Sequence, residues 1–284
     1  MNLIDILNNS AKKLESVSTT PRLDAEILIS KALKAKNRLN LYINKEQEIN
    51  NNHENKISEL ISKRLKYKPV SKIINSKGFW NFDFDISKNV LIPRPETEVL
   101  IDLVASHIQR DKKINFFDIG CGSGCISLSL LDVFKNSKGL AIDISKEAIE
   151  NTKINLKKFY TSAHLRILQK CIFKFKTKEM FDLIISNPPY LKLHEFINLD
   201  KSIKMYEPKT ALVGDNKKGV KFFYRIIKNF KKNLKLNGIL ALEIGNNQFL
   251  EIKQLLRLHG FVILNHYKLV DSQVRCILAR KIEN

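Results

Sequence analysis

The chain has 284 residues, 44% of them hydrophobic, with 49 basic against 29 acidic side chains and a formal charge of +20. This length suits one large domain plus a smaller one, and the absence of any run of about 18 apolar residues excludes a helical membrane span. The charge invites a nucleic-acid reading, but lysine and asparagine are frequent nearly everywhere. The densest basic runs, from Lys153 to Lys158, Lys170 to Lys178 and Lys217 to Lys235, fall in different predicted elements. A generally basic surface is therefore favoured over a dedicated DNA groove, and direct nucleic-acid binding is not expected.

The amino terminus carries Asp5 and Asn8-Asn9-Ser10 where a secretory leader needs an unbroken apolar stretch, so the cytoplasm is the expected location. Four cysteines, Cys121, Cys125, Cys171 and Cys276, fit reduced thiols in that compartment. Cys121 and Cys125 flank glycines, and no second Cys or His pair completes a zinc set, so no metal site is expected.

Residues 1–68 read as a small helical amino-terminal domain. Leu3, Ile4, Leu7, Ala11 and Leu14 recur at helical spacing. Thr20 as cap and Pro21 at the first position open a second helix, whose predicted apolar face is Leu23, Ile27, Leu28 and Leu33. A third helix is predicted from Asn52 to Leu65. Acids and bases are expected on exposed faces, so the segment reads as a lid, a partner-docking module or a structural cap. Residues 69–95 change texture. Val70 to Ile74 and Phe79 to Ile86 alternate and are broken by Lys77-Gly78, which predicts a linking β-hairpin. Pro93-Arg94-Pro95 then forces an extended crossing before a helix from about Glu96 to Ile108. Arg94 belongs either to an ordinary linker or to a surface that meets a partner or substrate.

From 96 to 284, predicted strands and helices alternate. The strand Ile114–Ile119 runs into Gly120-Cys121-Gly122-Ser123-Gly124, and a helix starts at Cys125. Glycines in a strand-to-helix turn let the backbone approach a ligand and are expected to leave amides at the helix N-terminus unpaired. The next strand ends in Asp143, where a carboxylate can grip ribose hydroxyls. The spacing is G-x-G-x-G, not the dinucleotide pattern G-x-G-x-x-G. A pyrophosphate would sit on the helix N-terminus, whereas S-adenosylmethionine has no phosphate and carries a cation. Asp118 and Asp143 suit that cation, so S-adenosylmethionine is favoured over NAD. Further strands are predicted at Leu165–Gln169, Phe181–Ser186, Ile239–Ile244, Phe261–Asn265 and Val274–Ala279, with a helix from Val220 to Leu234. The pattern gives an α/β fold, a doubly wound, mostly parallel sheet closed by an antiparallel pair.

The chemistry concentrates at Asn187-Pro188-Pro189-Tyr190, directly after the apolar run Phe181–Ser186. The prolines lack amide hydrogens and stop the strand. The Asn187 side-chain oxygen and the Pro188 carbonyl are then two acceptors able to hold both hydrogens of a planar NH2 group, with Tyr190 as a flat face beside it. Such a group is a poor nucleophile because its lone pair is delocalised. Two acceptors would orient it and stabilise the positive charge that grows on nitrogen during attack. Gly120, Asp143 and Asn187 all fall at the carboxyl ends of strands, where ligands of such sheets bind.

The tetrapeptide resembles the signature of methyltransferases acting on planar nitrogens, both adenine amines and glutamine side chains. Pro21-Arg22-Leu23-Asp24-Ala25-Glu26, Leu91 to Glu98, Tyr206-Glu207-Pro208 with Ala211-Leu212, and Glu243-Ile244-Gly245 with Gln248 closely resemble the peptide chain release factor glutamine methyltransferases over nearly the whole chain. The resemblance implies a class I, Rossmann-like methyltransferase with a seven-stranded sheet, bound S-adenosylmethionine, and as substrate the glutamine of the Gly-Gly-Gln loop of class 1 peptide chain release factors. A monomer without membrane attachment is expected. It implies Gly120, Cys121, Gly122, Ser123, Gly124, Asp143 and Asn187 as cofactor contacts, and Asn187, Pro188, Pro189 and Tyr190 around the substrate glutamine, with Asn187, Pro188 and Tyr190 carrying catalysis. The sequence departs from the family at Lys170-Cys171-Ile172, where an acid normally precedes an apolar residue beside the adenine. Ile172 can still cover a ring face, but Cys171 cannot accept as a carboxylate would, and weaker cofactor binding is expected. Adenine methylation of DNA or RNA is the competing reading, but no inserted base-reading region is present. A non-enzymatic cofactor-binding scaffold is a third.

Overall fold

The computed structural model describes residues 2–282 apart from Ala163 and Asn216. It comprises two compact units, the residues up to Ser76 with Asp200–Tyr206, and Lys77–Leu199 with the residues from Glu207 onward.

The first unit is built on three helices, α1 (Leu3–Leu14), α2 (Pro21–Leu33) and α3 (Asn51–Leu65). Asn2 caps α1 by accepting from the Asp5 amide, and Asn50 caps α3 through the His53 amide, each at 2.9 Å. Leu3, Leu7, Leu14, Leu28, Ile29 and Ile61 form the centre of the core. Thr20 precedes α2, but its side chain makes no cap bond; its amide donates instead to Ser18 Oγ.

The face that α2 buries also differs from the predicted one. Asp24, Ala25, Leu28, Ile29 and Ala32 are inside, while Leu23 is exposed. The reason is an ion pair that the expectation of exposed acids and bases misses. Arg64 Nε donates to Asp24 Oδ2 at 2.7 Å and Nη2 to the Val17 carbonyl at 2.8 Å, and all of Asp24, Glu26 and Arg64 are buried. Burying Asp24 with its partner rotates α2 so that the small alanines meet the core. Arg64→Met would leave the Asp24 carboxylate buried without a counter-charge. The expected cost is about 3–5 kcal/mol, seen as a lower urea midpoint, with part recovered in the Asp24→Leu/Arg64→Met double variant. A midpoint unchanged in the single variant would remove the pair from the account.

Val70–Ile74, predicted as the first hairpin strand, is a short helix. Pro69 presets its entry, with its carbonyl accepting from the Lys72 and Ile73 amides, and Asn75 closes it in the left-handed region at φ 55°. Burial of Ile73 against the helical core overrides the β-preference of Val and Ile. The hairpin pairs Ser76–Phe79 with Phe82–Asp85 and turns at Trp80 (φ 55°), not at Lys77-Gly78.

The second unit carries the seven-stranded sheet: β1 (Asn115–Ile119), β2 (Lys138–Asp143), β3 (His164–Gln169), β4 (Phe181–Ser186), β5 (Leu234–Glu243), β6 (Phe261–Lys268) and β7 (Val274–Lys281). Their order is β6-β7-β5-β4-β1-β2-β3, with β7 antiparallel to both neighbours and the rest parallel. The predicted doubly wound, mostly parallel sheet with its antiparallel edge is therefore present. β5 starts earlier than predicted, at Leu234. The preceding helix α7 (Lys221–Phe230) stops at Phe230, because buried Leu234 already pairs with Phe181 of β4.

Side chains alternate across the sheet. Phe116, Leu183, Ala241 and Leu278 face helices α4 (Glu96–Ala105), α5 (Cys125–Val133) and α6 (Lys146–Phe159). Phe117, Ile184, Leu240 and Ile277 face α7 and α8 (Phe249–Leu258). The hairpin is fixed to α6 by two buried asparagines. Asn155 accepts from the Asp85 amide and Asn151 from the Ser87 amide, each at 2.8 Å, and both donate to the Asp85 carbonyl. Strand order reverses between β1 and β4, and a crevice at their carboxyl ends follows from that topology.

Candidate active site

At the end of β1 the chain turns through Gly120 (φ 81°), Gly122 (φ 58°) and Gly124 (φ 83°), a conformation open to glycine and strained for other residues. A Cβ on Gly120 or Gly122 would meet nothing within 4 Å, whereas on Gly124 it would come within 2.9 Å of Thr152 Cγ2. The first two glycines thus leave open room, and the third lets α6 approach. Four amides of the turn itself, ahead of the helix, are paired. Gly120 and Cys121 donate to the Ile142 carbonyl, Gly122 to Asp143 Oδ2 at 3.0 Å, and Gly124 to the Cys121 carbonyl. The turn spends these donors on its own closure and on β2.

Two carboxylates flank the turn. Asp118 is fully buried on β1; Ser127 Oγ donates to its Oδ2 at 2.6 Å, and Oδ1 has no partner. Burial, with the Asp143 charge adding to it, pushes the Asp118 carboxyl up to about 7. Asp143 Oδ1 accepts from the Ser145 amide at 2.9 Å, and burial raises its pKa as well. Cys121 and Ser123 are buried. Ile172, just beyond β3, is buried on the α7–α8 side of the sheet, and its carbonyl accepts from Arg225 Nε at 3.0 Å. Cys171 is half-buried beside it.

Across the crevice, Ser186 Oγ ties the end of β4 to the Ile119 carbonyl at 2.6 Å. Asn187 Nδ2 donates to Thr97 Oγ1 on α4 at 3.1 Å. Among the described residues, neither Asn187 Oδ1 nor the Pro188 carbonyl has a hydrogen-bond partner. The Tyr190 hydroxyl donates to Glu243 Oε1 at 3.2 Å, and the Arg275 guanidinium lies 5.6 Å from its ring centroid. Burial and the Glu243 charge raise the Tyr190 pKa, which keeps its hydroxyl a donor. Pro189 packs close to Gly214.

Residues without a predicted role hold this loop. Gln248 Nε2 bridges the Tyr190 and Lys218 carbonyls at 2.9 and 3.0 Å while its Oε1 accepts from the Gly245 amide. Thr97, Glu243 and Gln248 belong to the segments that carry the resemblance, and that was the sole sequence signal for them. Arg94 is neither an idle linker nor free. Its Nη2 donates to buried Glu207 Oε1 at 2.5 Å, while Glu207 Oε2 accepts from the Ile92 amide.

Residues 5–74 match the PrmC N-terminal domain family, and residues 97–203 match the methyltransferase small domain family. A release factor glutamine methyltransferase from Clostridium acetobutylicum is 36% identical over 261 residues, which span 90% of each chain. The chain belongs to the release factor glutamine methyltransferase family. A bifunctional methyltransferase from Rickettsia bellii is also 36% identical, over 95% of this chain, yet the match spans only 53% of that longer protein. In fold, a methyltransferase from Pyrococcus furiosus superposes with a TM-score of 0.54 at 18% identity, covering 80% of this chain and 100% of that one.

Proposed function

We propose that the chain transfers a methyl group from S-adenosylmethionine to the side-chain amide of the glutamine in the Gly-Gly-Gln loop of class 1 peptide chain release factors. The observation that carries this reading is the pair of unpartnered acceptors, Asn187 Oδ1 and the Pro188 carbonyl, on the crevice beside the glycine turn. Two acceptors match the two hydrogens of a primary amide. Family membership favours a glutamine amide over an adenine amine, with Tyr190 and Pro189 completing the substrate side.

The residues present suit S-adenosylmethionine. The space above Gly120 and Gly122 would be filled by a Cβ, Asp118 Oδ1 is buried without a partner, and residues 118–125 contain no basic side chain. Gly120 to Gly124 would hold the cofactor through their backbone, Asp143 its hydroxyls, Ile172 a ring face, and Asn187 the end nearest the substrate. When bound, it supplies an electrophilic methyl group on a cationic sulfur. Asn187 and Pro188 hold the amide plane so that its nitrogen is presented to the crevice. As that nitrogen takes on the methyl group its positive charge grows, the two acceptors stabilise that charge, and the surplus proton leaves to water.

With labelled S-adenosylmethionine, purified protein is expected to label an intact class 1 release factor and not its Gln-to-Ala loop variant. Equal labelling of the variant, or labelling of DNA or RNA alone, would overturn the substrate assignment.

A further inference from the structure

Asn187 can serve as an acceptor only if its carboxamide is turned the right way, because its two ends are nearly equal in size and opposite in hydrogen-bonding sense. Residues distant in sequence set that choice. The Glu243 carboxylate, 1% exposed at the end of β5, receives the Thr97 hydroxyl at Oε2 at 2.5 Å and the Tyr190 hydroxyl at Oε1 at 3.2 Å. Thr97, 2% exposed on α4, has one proton, and it is committed to Glu243. Its oxygen can then only accept, and the group facing it is Asn187 Nδ2 at 3.1 Å.

We propose that Thr97 and Glu243 are positioning residues that turn the Asn187 carboxamide so that its oxygen, not its NH2, meets the substrate nitrogen. The inference rests on the reading of Asn187 given above. The relay has a built-in polarity: a carboxylate at 243 takes the Thr97 proton, which makes Thr97 an acceptor and fixes the amide. A protonated Glu243 can itself donate to Thr97, freeing the Thr97 proton to point at position 187. The carboxamide then turns over and presents donors to donors.

The groups around Glu243 are Thr97 and Glu96 on α4, Cys125 on α5, Tyr190 after β4, and Arg275 with Cys276 on β7. Burial raises the Glu243 pKa above the ordinary carboxylate range, against lowering by the Thr97 bond, Arg275 and Tyr190, while Glu96 raises it further. Orientation is therefore expected to fail as pH falls through that raised value, which gives an acid limb above the usual carboxylate titration.

The test compares Thr97→Val with Thr97→Ser. Val keeps the shape and removes the hydroxyl. Its kcat is expected to be about 10- to 100-fold lower, with cofactor affinity kept, and Ser should restore most of the rate. In nitrogen-15 spectra, the Asn187 side-chain amide, assigned against Asn187→Ala, should sit apart from solvent-exposed asparagines in the wild type and in Ser. It should collapse among them in Val. That readout needs no substrate, so it separates failure of the relay from failure of the release-factor reading. Glu243→Gln, whose carbonyl can still take the Thr97 proton, should lose less rate at neutral pH than Val and should abolish the acid-induced change of the Asn187 side-chain resonances, a local readout separate from titration of Asp118. A wild-type kcat in Thr97→Val, unchanged Asn187 resonances in that variant, or an acid-induced change of those resonances retained in Glu243→Gln would each overturn the proposal. If Val does not fold, the Asn187 resonances of Glu243→Gln across pH decide.

Discussion

Asn187→Ala is expected to fold, to bind S-adenosylmethionine with at most a modest loss, and to transfer the methyl group about 1,000-fold more slowly, the scale seen when one group is removed from a preorganised polar site. The loss falls on kcat because the Asn187 oxygen matters most once charge grows on the attacked amide, a state absent from the ground-state complex. Folding should be little affected. Asn187 is half-buried, and among the described residues its side chain bonds to Thr97, whose hydroxyl keeps Glu243 as its acceptor. Asn187→Asp sharpens the result. Aspartate supplies an acceptor to the substrate, but its second oxygen would face the accepting side of Thr97 and add negative charge near buried Glu243. It should therefore be nearly as inactive as the alanine variant, and a binding isotherm beside single-turnover transfer checks both. Substantial activity in Asn187→Ala would remove the side chain from the mechanism and leave the Pro188 carbonyl to act alone.

The contrast between Asn187 and its supports explains what the sequence could carry. The strand ending at Ser186 and the two prolines are local signals: an apolar run and missing amide hydrogens are visible in ten consecutive residues. The glycine turn after β1 and Asp143 at the end of β2 are equally local, and so the β–α alternation that places them was legible too. The hydrogen bonds that orient the site are not. Thr97 and Glu243 lie 146 residues apart, and Thr97 and Asn187 lie 90 apart. No periodicity in one segment reports a partner in another. The same reason hid the Asp24–Arg64 pair, 40 residues apart, and with it the face that α2 buries. The closure of the glycine turn was hidden for a related reason. The Gly120, Cys121 and Gly122 amides find their acceptors at Ile142 and Asp143 on the neighbouring strand, so only the paired sheet shows that the turn is already closed.

The second large effect is expected at a glycine outside both signature motifs. Gly219 sits at φ 74°, and a Cβ there would lie 2.0 Å from the Tyr190 carbonyl oxygen, 3.0 Å from its carbonyl carbon and 2.7 Å from Gln248 Nε2. The nearest atoms are backbone, so no side-chain rotation relieves the overlap. In Gly219→Ala the Tyr190 peptide must move, and the Gln248 bridge that fixes it to the Lys218 carbonyl must open. That peptide is two residues from the Pro188 carbonyl, and a displacement of about 1 Å at a positioned group is enough for roughly a 100-fold loss of kcat. Gly120→Ala is the matched control. Its φ of 81° carries a similar backbone penalty, about 1–2 kcal/mol, but its Cβ would enter open space beside Asp118 and Asp143. The two variants should therefore fail in opposite ways. Gly219→Ala should keep cofactor affinity and lose turnover, whereas Gly120→Ala should lose cofactor affinity while the Asn187–Tyr190 loop keeps its hydrogen bonds. Titration calorimetry with S-adenosylmethionine and single-turnover transfer at saturating cofactor distinguish them. If Gly219→Ala turned over at the wild-type rate, the close fit behind Tyr190 would have no part in holding the acceptors. If both variants lost affinity together, the glycine turn and the Asn-Pro-Pro-Tyr loop would be one mechanical unit, not two halves that meet only across the crevice.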